Sequence, residues 1–253
     1  MRLLVLGGTS EASALARALA GRADIAAILS LAGRTRAPAP APIPVRSGGF
    51  GGAEGLRGYL ASERIDAVID ATHPFAARMA RHAAQACAAA GAPLLAFSRP
   101  PWMRQDGDWW IEVDTMEEAA VALGAAPRRV FLTPGRQQLA AFAAAPQHWY
   151  LVRAIDALED LETLPRRRLI LARGPFSRPE EEALMRAERI DTLVSKNSGG
   201  EATYAKIEAA RALRLPVVMV RRPERPPVSQ ATSVAEALAW LDGLEPARHR
   251  PAP

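Results

Sequence analysis

The sequence lacks the residues on which several common classes of protein depend. Its one cysteine, Cys87, cannot form a disulfide within the chain, and its alanine-rich helical surroundings predict a buried structural thiol. No run of eighteen apolar residues is present, which predicts that no helix spans a membrane. No cysteines and histidines are grouped at metal-ligand spacing, and the apolar start leads directly into a glycine turn, unlike a signal peptide. We therefore expect a cytoplasmic protein without a bound metal.

Lysine is almost absent as well. The chain carries two lysines, Lys196 and Lys206, against 30 arginines, and its net charge is +5. The arginines are spread along the chain, and no helix-turn-helix, zinc-finger or RNA-recognition motif accompanies them, so no nucleic-acid partner is predicted. Because arginine fills nearly every other cationic position, the lysines indicate places where a compact ammonium group is needed. No segment indicates a subunit interface, and a monomer is the default expectation.

Short apolar segments alternate with helical segments along the chain, a pattern typical of parallel α/β sheets. Strands are predicted at residues 3–6, 25–29, 43–45, 67–69 and 93–97, and in a second series at 130–133, 149–153, 169–172, 192–195 and 217–220. Helices are predicted at residues 11–20, 53–63, 75–90, 137–144, 179–187, 201–213 and 234–241. The predicted fold is α/β, with two Rossmann-like parallel-sheet domains and the active-site cleft between them. A seam at residues 124–127 divides the chain into domains at 1–126 and 127–245, followed by a disordered tail at 246–253.

A glycine turn follows the first predicted strand. It reads Gly7-Gly8-Thr9-Ser10-Glu11, and a helix begins within it. A strand, a glycine turn and a helix in this order present backbone N–H groups and the positive end of the helix dipole to a phosphate. Thr9 stands where the usual dinucleotide-binding pattern has its second glycine, and the Glu11 carboxylate would repel a pyrophosphate. An ordinary capped turn is the alternative, but the position after the first strand favours nucleotide binding.

The segment after the second predicted strand indicates which nucleotide is bound. NAD sites usually place an acid at this point to hold the ribose hydroxyls, whereas NADP sites place arginine and hydroxyl groups around the 2′-phosphate. The segment contains Ser30, Gly33, Arg34 and Thr35, and no acid. Since arginine is common throughout the chain, the missing acid carries more weight than the presence of Arg34. We therefore predict NADPH as the cofactor.

A third motif, Asp70-Ala71-Thr72-His73-Pro74-Phe75, lies at the end of the fourth predicted strand. Ligands of open α/β sheets bind at the carboxyl ends of the strands, so this motif is predicted to line the cofactor site. The residues assigned to cofactor binding in it are Thr72, His73, Pro74 and Phe75. No catalytic residue is assigned. His73 is a candidate proton donor, and its alternative role is to cap the helix that follows.

Polar residues also collect at strand ends in the second half of the chain. The segment Ser195-Lys196-Asn197-Ser198-Gly199-Gly200 places hydroxyl, ammonium and amide donors within six positions, which predicts an anion-binding loop. Two arginines follow other predicted strands of this half. The predicted substrate-binding residues are Arg136, Arg173, Lys196, Asn197, Ser198, Gly199 and Gly200.

Together these motifs resemble the precorrin-6A reductase (cobalt-precorrin-6A reductase) family of cobalamin biosynthesis. The resemblance runs in order from residue 3 to about residue 241, and Thr-His-Pro-Phe and Lys-Asn-Ser-Gly-Gly are its specific segments. It implies hydride transfer from NADPH to one double bond of precorrin-6A, a tetrapyrrole with acetate and propionate side chains, to give precorrin-6B. Residues 1–126 would then bind NADP and residues 127–245 the substrate. The metal-free and the cobalt-loaded ring both remain open as substrates.

Two alternatives come from other classes. Another NADP-dependent reductase, of the short-chain dehydrogenase type, would need a tyrosine and a lysine four residues apart on a helix, and Tyr59, Tyr150 and Tyr204 all lack that lysine. A non-catalytic nucleotide-binding protein is the second alternative. It would bind NADPH without consuming it when a tetrapyrrole is added.

Overall fold

The computed structural model describes residues 1–33, 40–133, 138–155 and 158–244. In chain order, the strands and helices of these ranges are β1 Arg2–Leu6, α1 Ser10–Leu19, β2 Ala26–Leu31, β3 Val45–Ser47, α2 Ala53–Ser62, β4 Ala67–Asp70, α3 Ala77–Ala90, β5 Leu94–Phe97, β6 Trp110–Val113, α4 Met116–Ala122, β7 Arg129–Leu132, β8 Trp149–Ala154, β9 Arg167–Leu171, α5 Arg178–Ala187, β10 Thr192–Lys196, α6 Ala205–Ala212, β11 Val217–Val220, β12 Ser229–Ala231 and α7 Val234–Asp242. None of the described helices combines the length and the apolar character needed to cross a membrane.

The strands form two parallel sheets, and each sheet lies in its own compact unit. Unit 1 comprises Met1–Pro100 and Pro223–Pro253, and its strand order is β3-β2-β1-β4-β5-β12. Unit 2 comprises Pro101–Arg222, and its strand order is β9-β8-β7-β10-β11-β6. Strands one to six are β1–β5 and β12 in unit 1, and β7–β11 and β6 in unit 2. With this count both sheets have the 3-2-1-4-5-6 order of the Rossmann fold. The predicted α/β fold with two Rossmann-like parallel sheets is therefore confirmed.

The sixth strand of each sheet corrects the predicted domain boundaries. β6 follows β5 along the chain, yet Trp110 pairs with Val217 of β11 in unit 2. β12 follows β11 along the chain, yet Ser229 pairs with Leu95 of β5 in unit 1. The chain therefore passes between the units at residues 100–101 and 222–223, whereas the sequence predicts one boundary at 126–127. Local sequence could not show this, because the pairing of a short edge strand is a long-range contact.

Helices cover both faces of the first sheet. Leu3 and Val5 of β1 pack with α1 and α7 on one face, whereas Leu4 and Leu6 pack with α2 and α3 on the other. Covering on both faces explains why the strands are nearly continuous apolar runs. Cys87 of α3 lies in the second of these cores, where burial raises the pKa of its thiol to about 12. It is the buried thiol that its helical surroundings predicted.

The second unit has a comparable core with one buried ion pair. Its strands contribute Phe131, Leu151 and Met219, which pack with α5 and α6. Arg153 at the end of β8 and Glu181 in α5 form a bidentate ion pair, with Nη2 of the arginine 3.1 Å from Oε2 of the glutamate. Their side chains are 6% and 2% exposed, so the pair is desolvated. The ion pair connects α5 to β8 of the sheet.

Most predicted elements are present with boundaries shifted by one or two residues, and the differences fall on short elements. The prediction omitted β6, α4 and β12, which have three to seven residues and give little periodic pattern. Within the predicted helix at 137–144, the structure has a 3₁₀ helix at Ala140–Ala144, and Gln137 lies outside the described residues. The helix predicted from residue 201 begins at Ala205. The predicted tail at 246–253 also lies outside the described residues.

Candidate functional site

The glycine turn lies at the carboxyl edge of the first sheet, between β1 and α1. A Cβ atom on Gly7 would lie 2.5 Å from Cδ1 of Leu29, so a larger residue would collide with β2. Gly8 has a φ of 112°, which L-residues rarely adopt, and open space surrounds the position where its Cβ would stand. The amide of Gly7 donates to the carbonyl of Ser30 at 2.9 Å. The turn is therefore tied to β2 and leaves its backbone open to a ligand.

Thr9 ties the same turn to β4. Its Oγ1 accepts the N–H of Ala12 at 3.1 Å, which caps α1, and donates to the carbonyl of Ala71 at 2.7 Å. The amides of Ser10 and Glu11, in the first helical turn, have no acceptor within the helix. They lie at the carboxyl end of β1 beside β4, where the strand order reverses, which is the ligand-binding point of a doubly wound sheet. The turn has the features of a phosphate site.

Arg99 neutralises the carboxylate that stood out in the sequence. Nη1 of Arg99 lies 2.6 Å from Oε2 of Glu11, and both side chains are more than four-fifths buried. The hydroxyl of Ser10 also donates to this carboxylate, at 3.2 Å. An ion pair at this position removes most of the repulsion that a lone carboxylate would exert on a pyrophosphate.

Arg46, a residue of β3, lies beside the carboxyl end of β2. It pairs in register with Ser30, and its Nη1 donates to the Ser30 hydroxyl at 2.8 Å and to the carbonyl of Gly48 at 3.1 Å. Nη2 donates to the carbonyl of Gly49 at 3.3 Å, and the guanidinium carbon lies 4.0 Å from the centre of the Phe50 ring. A cation thus occupies the strand end at which NAD-binding proteins place an acid.

Gly33 lies beside the same loop. Its φ is 70°, and a Cβ on it would lie 3.8 Å from the amide nitrogen of Gly48, which itself donates to the carbonyl of Leu31 at 2.9 Å. Arg34 and Thr35, which the sequence also assigned to the cofactor, lie outside the described residues.

A buried carboxylate organises the loop after β4. Asp70 is 2% exposed, and its Oδ1 accepts the amide of Thr72 at 3.0 Å and the Thr72 hydroxyl at 2.6 Å. Its Oδ2 accepts from Nη2 of Arg225 at 2.6 Å. Arg225 lies in the segment that returns the chain to unit 1. The carboxylate is therefore compensated and fixes the direction of Thr72.

His73 organises the turn before α3. Its Nδ1 accepts the amide of Phe75 at 3.2 Å, its carbonyl accepts the amide of Ala76 at 2.7 Å, and Pro74 between them is buried. Because Nδ1 acts as an acceptor, the neutral ring carries its proton on Nε2. The ring of Phe75 lies 5.8 Å away and tilted. The N-cap of α3 is Ala76, without a side-chain hydrogen bond, so the His73 ring orders the turn before the helix and does not cap α3.

The three stretches of unit 1 meet at neighbouring strand ends, and we call residues 7–11, 30–33 and 70–75 the cofactor loops. Hydrogen bonds from Gly7 to Ser30 and from Thr9 to Ala71 connect them. The structure thus brings the described cofactor candidates to the ends of β1, β2 and β4. Among the described residues, no cluster of three or more His, Cys, Asp or Glu side chains could hold a metal ion.

In unit 2 the predicted anion-binding segment, residues 195–200, forms what we call the lysine loop. The side-chain amide of Asn197 exchanges two hydrogen bonds with the backbone of Trp102: Oδ1 accepts the Trp102 N–H at 2.7 Å, and Nδ2 donates to its carbonyl at 2.9 Å. The indole N–H of Trp102 donates to the carbonyl of Gly200 at 2.8 Å. Gly199 and Gly200 have φ values of 68° and 74°, which explains the glycine pair.

Arg222 holds the same loop from another side. Its Nε donates to the carbonyl of Asn197 at 2.9 Å and its Nη2 to the carbonyl of Ser198 at 3.0 Å. Asn197 and Ser198 are 9% and 8% exposed. The side-chain amide of Asn197 thus holds the loop in place, whereas the sequence predicts that Asn197 binds the substrate.

Lys196 ends β10, and burial lowers the pKa of its ammonium to about 8. Arg173 is exposed and follows β9. A Cβ on the neighbouring Gly174 would lie 3.0 Å from the carbonyl oxygen of Ala202, so the Arg173 segment runs beside the residues that follow the lysine loop. Arg136 lies outside the described residues. Lys196 therefore ends β10 and Arg173 follows β9, two strands that β7 and β8 separate in the sheet.

Several of the residues that shape these loops were not predicted from the sequence. They are Arg46, Arg99, Trp102, Arg222 and Arg225. Thirty arginines make any one of them inconspicuous, and their partners lie far away along the chain. The one local sign is an Arg-Pro pair after the fifth strand of each sheet, at residues 99–100 and 222–223.

The fold and the first site define a class of protein with Rossmann-like units, one of which carries a dinucleotide-type glycine turn at its topological switch point. Comparison with known proteins specifies the family. The model of the family described as "Precorrin-6x reductase CbiJ/CobK" matches residues 2–242. A solved structure titled "CobK precorrin-6A reductase" is 48% identical in sequence and superposes with a TM-score of 0.90. The superposition covers 96% of this chain and 96% of that one.

Two curated relatives extend the comparison. A protein of Rhodococcus erythropolis named precorrin-6A reductase is 49% identical over 244 residues, which cover 96% of this chain and 98% of the relative. A protein of Priestia megaterium named cobalt-precorrin-6A reductase is 27% identical over 233 residues, which cover 88% of this chain and 91% of the relative. The chain belongs to the precorrin-6x reductase family and is an oxidoreductase of cobalamin biosynthesis.

Proposed function

We propose that the chain reduces one double bond of precorrin-6A with NADPH and forms precorrin-6B. The observation that carries the proposal is its close similarity, over nearly its whole length, to proteins named precorrin-6A reductase. The local geometry agrees with it, because unit 1 offers a phosphate turn and unit 2 offers cationic groups at strand ends.

The cofactor loops fit a dinucleotide. The open backbone at Gly8 and the amides of Ser10 and Glu11 would hold the pyrophosphate, with the Glu11 charge compensated by Arg99. NADPH supplies the hydride. Addition of a hydride to one carbon of the double bond requires a proton at the other carbon, which balances the reaction.

The choice of NADPH over NADH rests on the end of β2. Residues 30–33 read Ser-Leu-Ala-Gly and contain no acid, and the Arg46 guanidinium is bonded to the Ser30 hydroxyl. A guanidinium suits a phosphate, since its planar set of donors matches phosphate oxygens. We assign Arg46 to the neighbourhood of the 2′-phosphate. Arg34 is assigned to the same phosphate on its position in the sequence alone.

Substrate binding is assigned to unit 2. Precorrin-6A carries several carboxylates, and Lys196 and Arg173 are cations suited to charge-assisted hydrogen bonds with them. The chain is closer to the relative named for the metal-free substrate than to the one named for the cobalt form, with 49% against 27% identity. We therefore propose the metal-free ring as the substrate.

The test is anaerobic mixing of the purified chain with NADPH and precorrin-6A, followed by absorbance. We expect enzyme-dependent loss of the reduced-nicotinamide band together with a change in the tetrapyrrole spectrum. Cobalt-precorrin-6A and NADH serve as parallel substrates and should react more slowly. Binding of NADPH without consumption in any combination would instead favour the non-catalytic nucleotide-binding alternative.

A further inference from the structure

The chain passes between its two units through a pair of similar segments. The passages at Pro100–Pro101 and Arg222–Pro223 follow β5 and β11, which are the fifth strands of their sheets. We call residues 99–102 and 222–225 the connecting segments, and they read Arg-Pro-Pro-Trp and Arg-Pro-Glu-Arg. Each begins two residues after its strand with an Arg-Pro pair.

The first residue of each connecting segment binds a strand-end loop of the unit that the chain is leaving. Arg99 pairs with Glu11 in the glycine turn of unit 1, at 2.6 Å. Arg222 donates to the carbonyls of Asn197 and Ser198 in the lysine loop of unit 2, at 2.9 and 3.0 Å. Both arginines thus hold loops at which a ligand is proposed to bind.

The fourth residue of each segment binds the loop after the fourth strand of the unit that the chain is entering. Trp102 exchanges two hydrogen bonds with the Asn197 amide after β10. Arg225 donates to Asp70 at 2.6 Å and to the hydroxyl of Thr72 at 3.3 Å, after β4. The two segments therefore occupy equivalent positions and use different side chains for the same task.

We propose that the two connecting segments are positioning elements that couple the cofactor loops to the lysine loop. The segment 99–102 is bound to Glu11 at one end and to Asn197 at the other, and the segment 222–225 is bound to Asn197 and Ser198 at one end and to Asp70 at the other. Their prolines restrict the backbone, so a shift at one anchored end is transmitted to the other.

The inference rests on the proposed function, which places NADPH at the cofactor loops and the tetrapyrrole at the lysine loop. A phosphate beside Glu11 changes the field at the Arg99 ion pair, and a carboxylate at the lysine loop changes the position of the Asn197 backbone. Because both changes reach the same short segments, each ligand alters the affinity for the other. Thermodynamic linkage makes the effect reciprocal.

The experiment uses NADP⁺ and precorrin-6A, which cannot react because neither carries a hydride to transfer. Calorimetry measures the Kd of NADP⁺ for the full chain, alone and with saturating precorrin-6A, and the ratio of the two values is the coupling. For the wild type we expect a ratio that differs from one by about fivefold or more. For Pro100→Gly/Pro101→Gly we expect a ratio close to one, with each separate Kd kept within about threefold.

The substituted prolines are exposed and the anchoring residues stay in place, so this variant should keep its fold. The matched control is Ala126→Gly/Pro127→Gly, in an exposed loop of unit 2 that connects no proposed site, and it should keep the wild-type ratio. A wild-type ratio of one, or an unchanged ratio in Pro100→Gly/Pro101→Gly, overturns the coupling while turnover with NADPH leaves the proposed function standing. If NADP⁺ does not bind and NADPH is not consumed, both proposals are overturned.

A second variant tests positioning at the loop itself. Arg222→Lys keeps the charge but replaces a fork that reaches two carbonyls with a single ammonium. We expect a lower kcat with precorrin-6A and an unchanged Kd for NADPH, since the cofactor loops keep their own anchors. An unchanged kcat would remove Arg222 from the proposal.

Discussion

Carboxylates beside the proposed phosphate site are each paired with an arginine that is distant along the chain. Glu11 pairs with Arg99, and Asp70 with Arg225. Each ion pair therefore offsets a negative charge that would otherwise repel an anionic cofactor. The sequence shows Glu11 as an anomaly because local spacing contains no information about Arg99. The compensation exists only once β5 lies beside β4 and β4 beside β1.

Arg46 gives the first prediction at the residue scale. We expect Arg46→Ala to weaken NADPH binding roughly 10-fold or more, the effect of losing a charge-assisted hydrogen bond, and to change NADH binding much less. Fluorescence titration of both nucleotides measures the difference. Arg57→Ala, which removes an exposed arginine of α2, is the matched control and should leave both affinities unchanged. An equal loss for NADPH and NADH would place Arg46 away from the 2′-phosphate.

Lys196 gives a prediction about the pH dependence of activity. Burial lowers the pKa of its ammonium from 10.5 to about 8, so the cation that we propose binds the substrate is present below pH 8 and is lost as the pH rises above it. We expect kcat/KM for precorrin-6A to fall above about pH 8. In Lys196→Arg the charge persists, because arginine does not lose its proton in this range, and the alkaline fall should disappear. The same alkaline fall in both proteins would assign it to another group.

At the scale of elements, the helices that follow the two sixth strands begin in the same way. Thr115 caps α4 by accepting the amide of Glu118 at 3.0 Å, and Ser233 caps α7 by accepting the amide of Glu236 at 3.1 Å. Both are S/T-x-x-E capping sequences. The prediction included α7 and omitted α4, although the capping sequence at residues 115–118 was present. The seven residues of α4 give too few helical turns for an apolar period to be recognised.

The ion pair between β8 and α5 gives the prediction at this scale. Glu181→Gln leaves the Arg153 guanidinium, whose side chain is 6% exposed, without its counter-charge. We expect the free energy of unfolding of the chain to fall by about 3–5 kcal/mol, measured by urea denaturation. The double variant Arg153→Met/Glu181→Leu removes both charges and should recover most of this loss. Glu54→Gln, in the exposed pair with Arg57, should change the stability little. If the double variant were no more stable than Glu181→Gln, loss of packing rather than an unpaired charge would be the cause.

At the scale of the whole molecule, the chain contains two successive series of strands whose final βα elements are exchanged. β6 and α4 end the first series and complete the second unit, whereas β12 and α7 end the second series and complete the first unit. The predicted boundary at 126–127 separates the two series of strands. The compact units do not coincide with these two series, because each sheet takes its sixth strand from the other series.

A truncation tests whether β12 and α7 belong to unit 1, as in the structure, or to the second predicted domain. A chain that ends at Arg222 loses β12 and α7, including Ala237 and Leu241 of the first core. We expect unit 1 to unfold at a lower temperature and NADPH binding to be lost, although every residue of the cofactor loops remains. Calorimetry and nucleotide titration measure both effects. A chain that ends at Leu244 is the control, and the sequence predicts that it retains both properties. Normal NADPH binding by the shorter chain would mean that β12 and α7 are dispensable to unit 1.

The sequence by itself determined the class of fold, the strand-end motifs and the family, because buried parallel strands are apolar runs and the glycine turns are local. The segments 7–11, 70–75 and 195–200 all lie at carboxyl ends of strands, as predicted. Tertiary structure alone decided where the sixth strands pair and which arginines hold the loops. A three- or four-residue edge strand has hardly any period, and its partner is set by which sheet edge its backbone groups can reach. The positions of Arg99, Arg222 and Arg225 follow from that pairing, and the position of Arg46 follows from the pairing of β3 with β2.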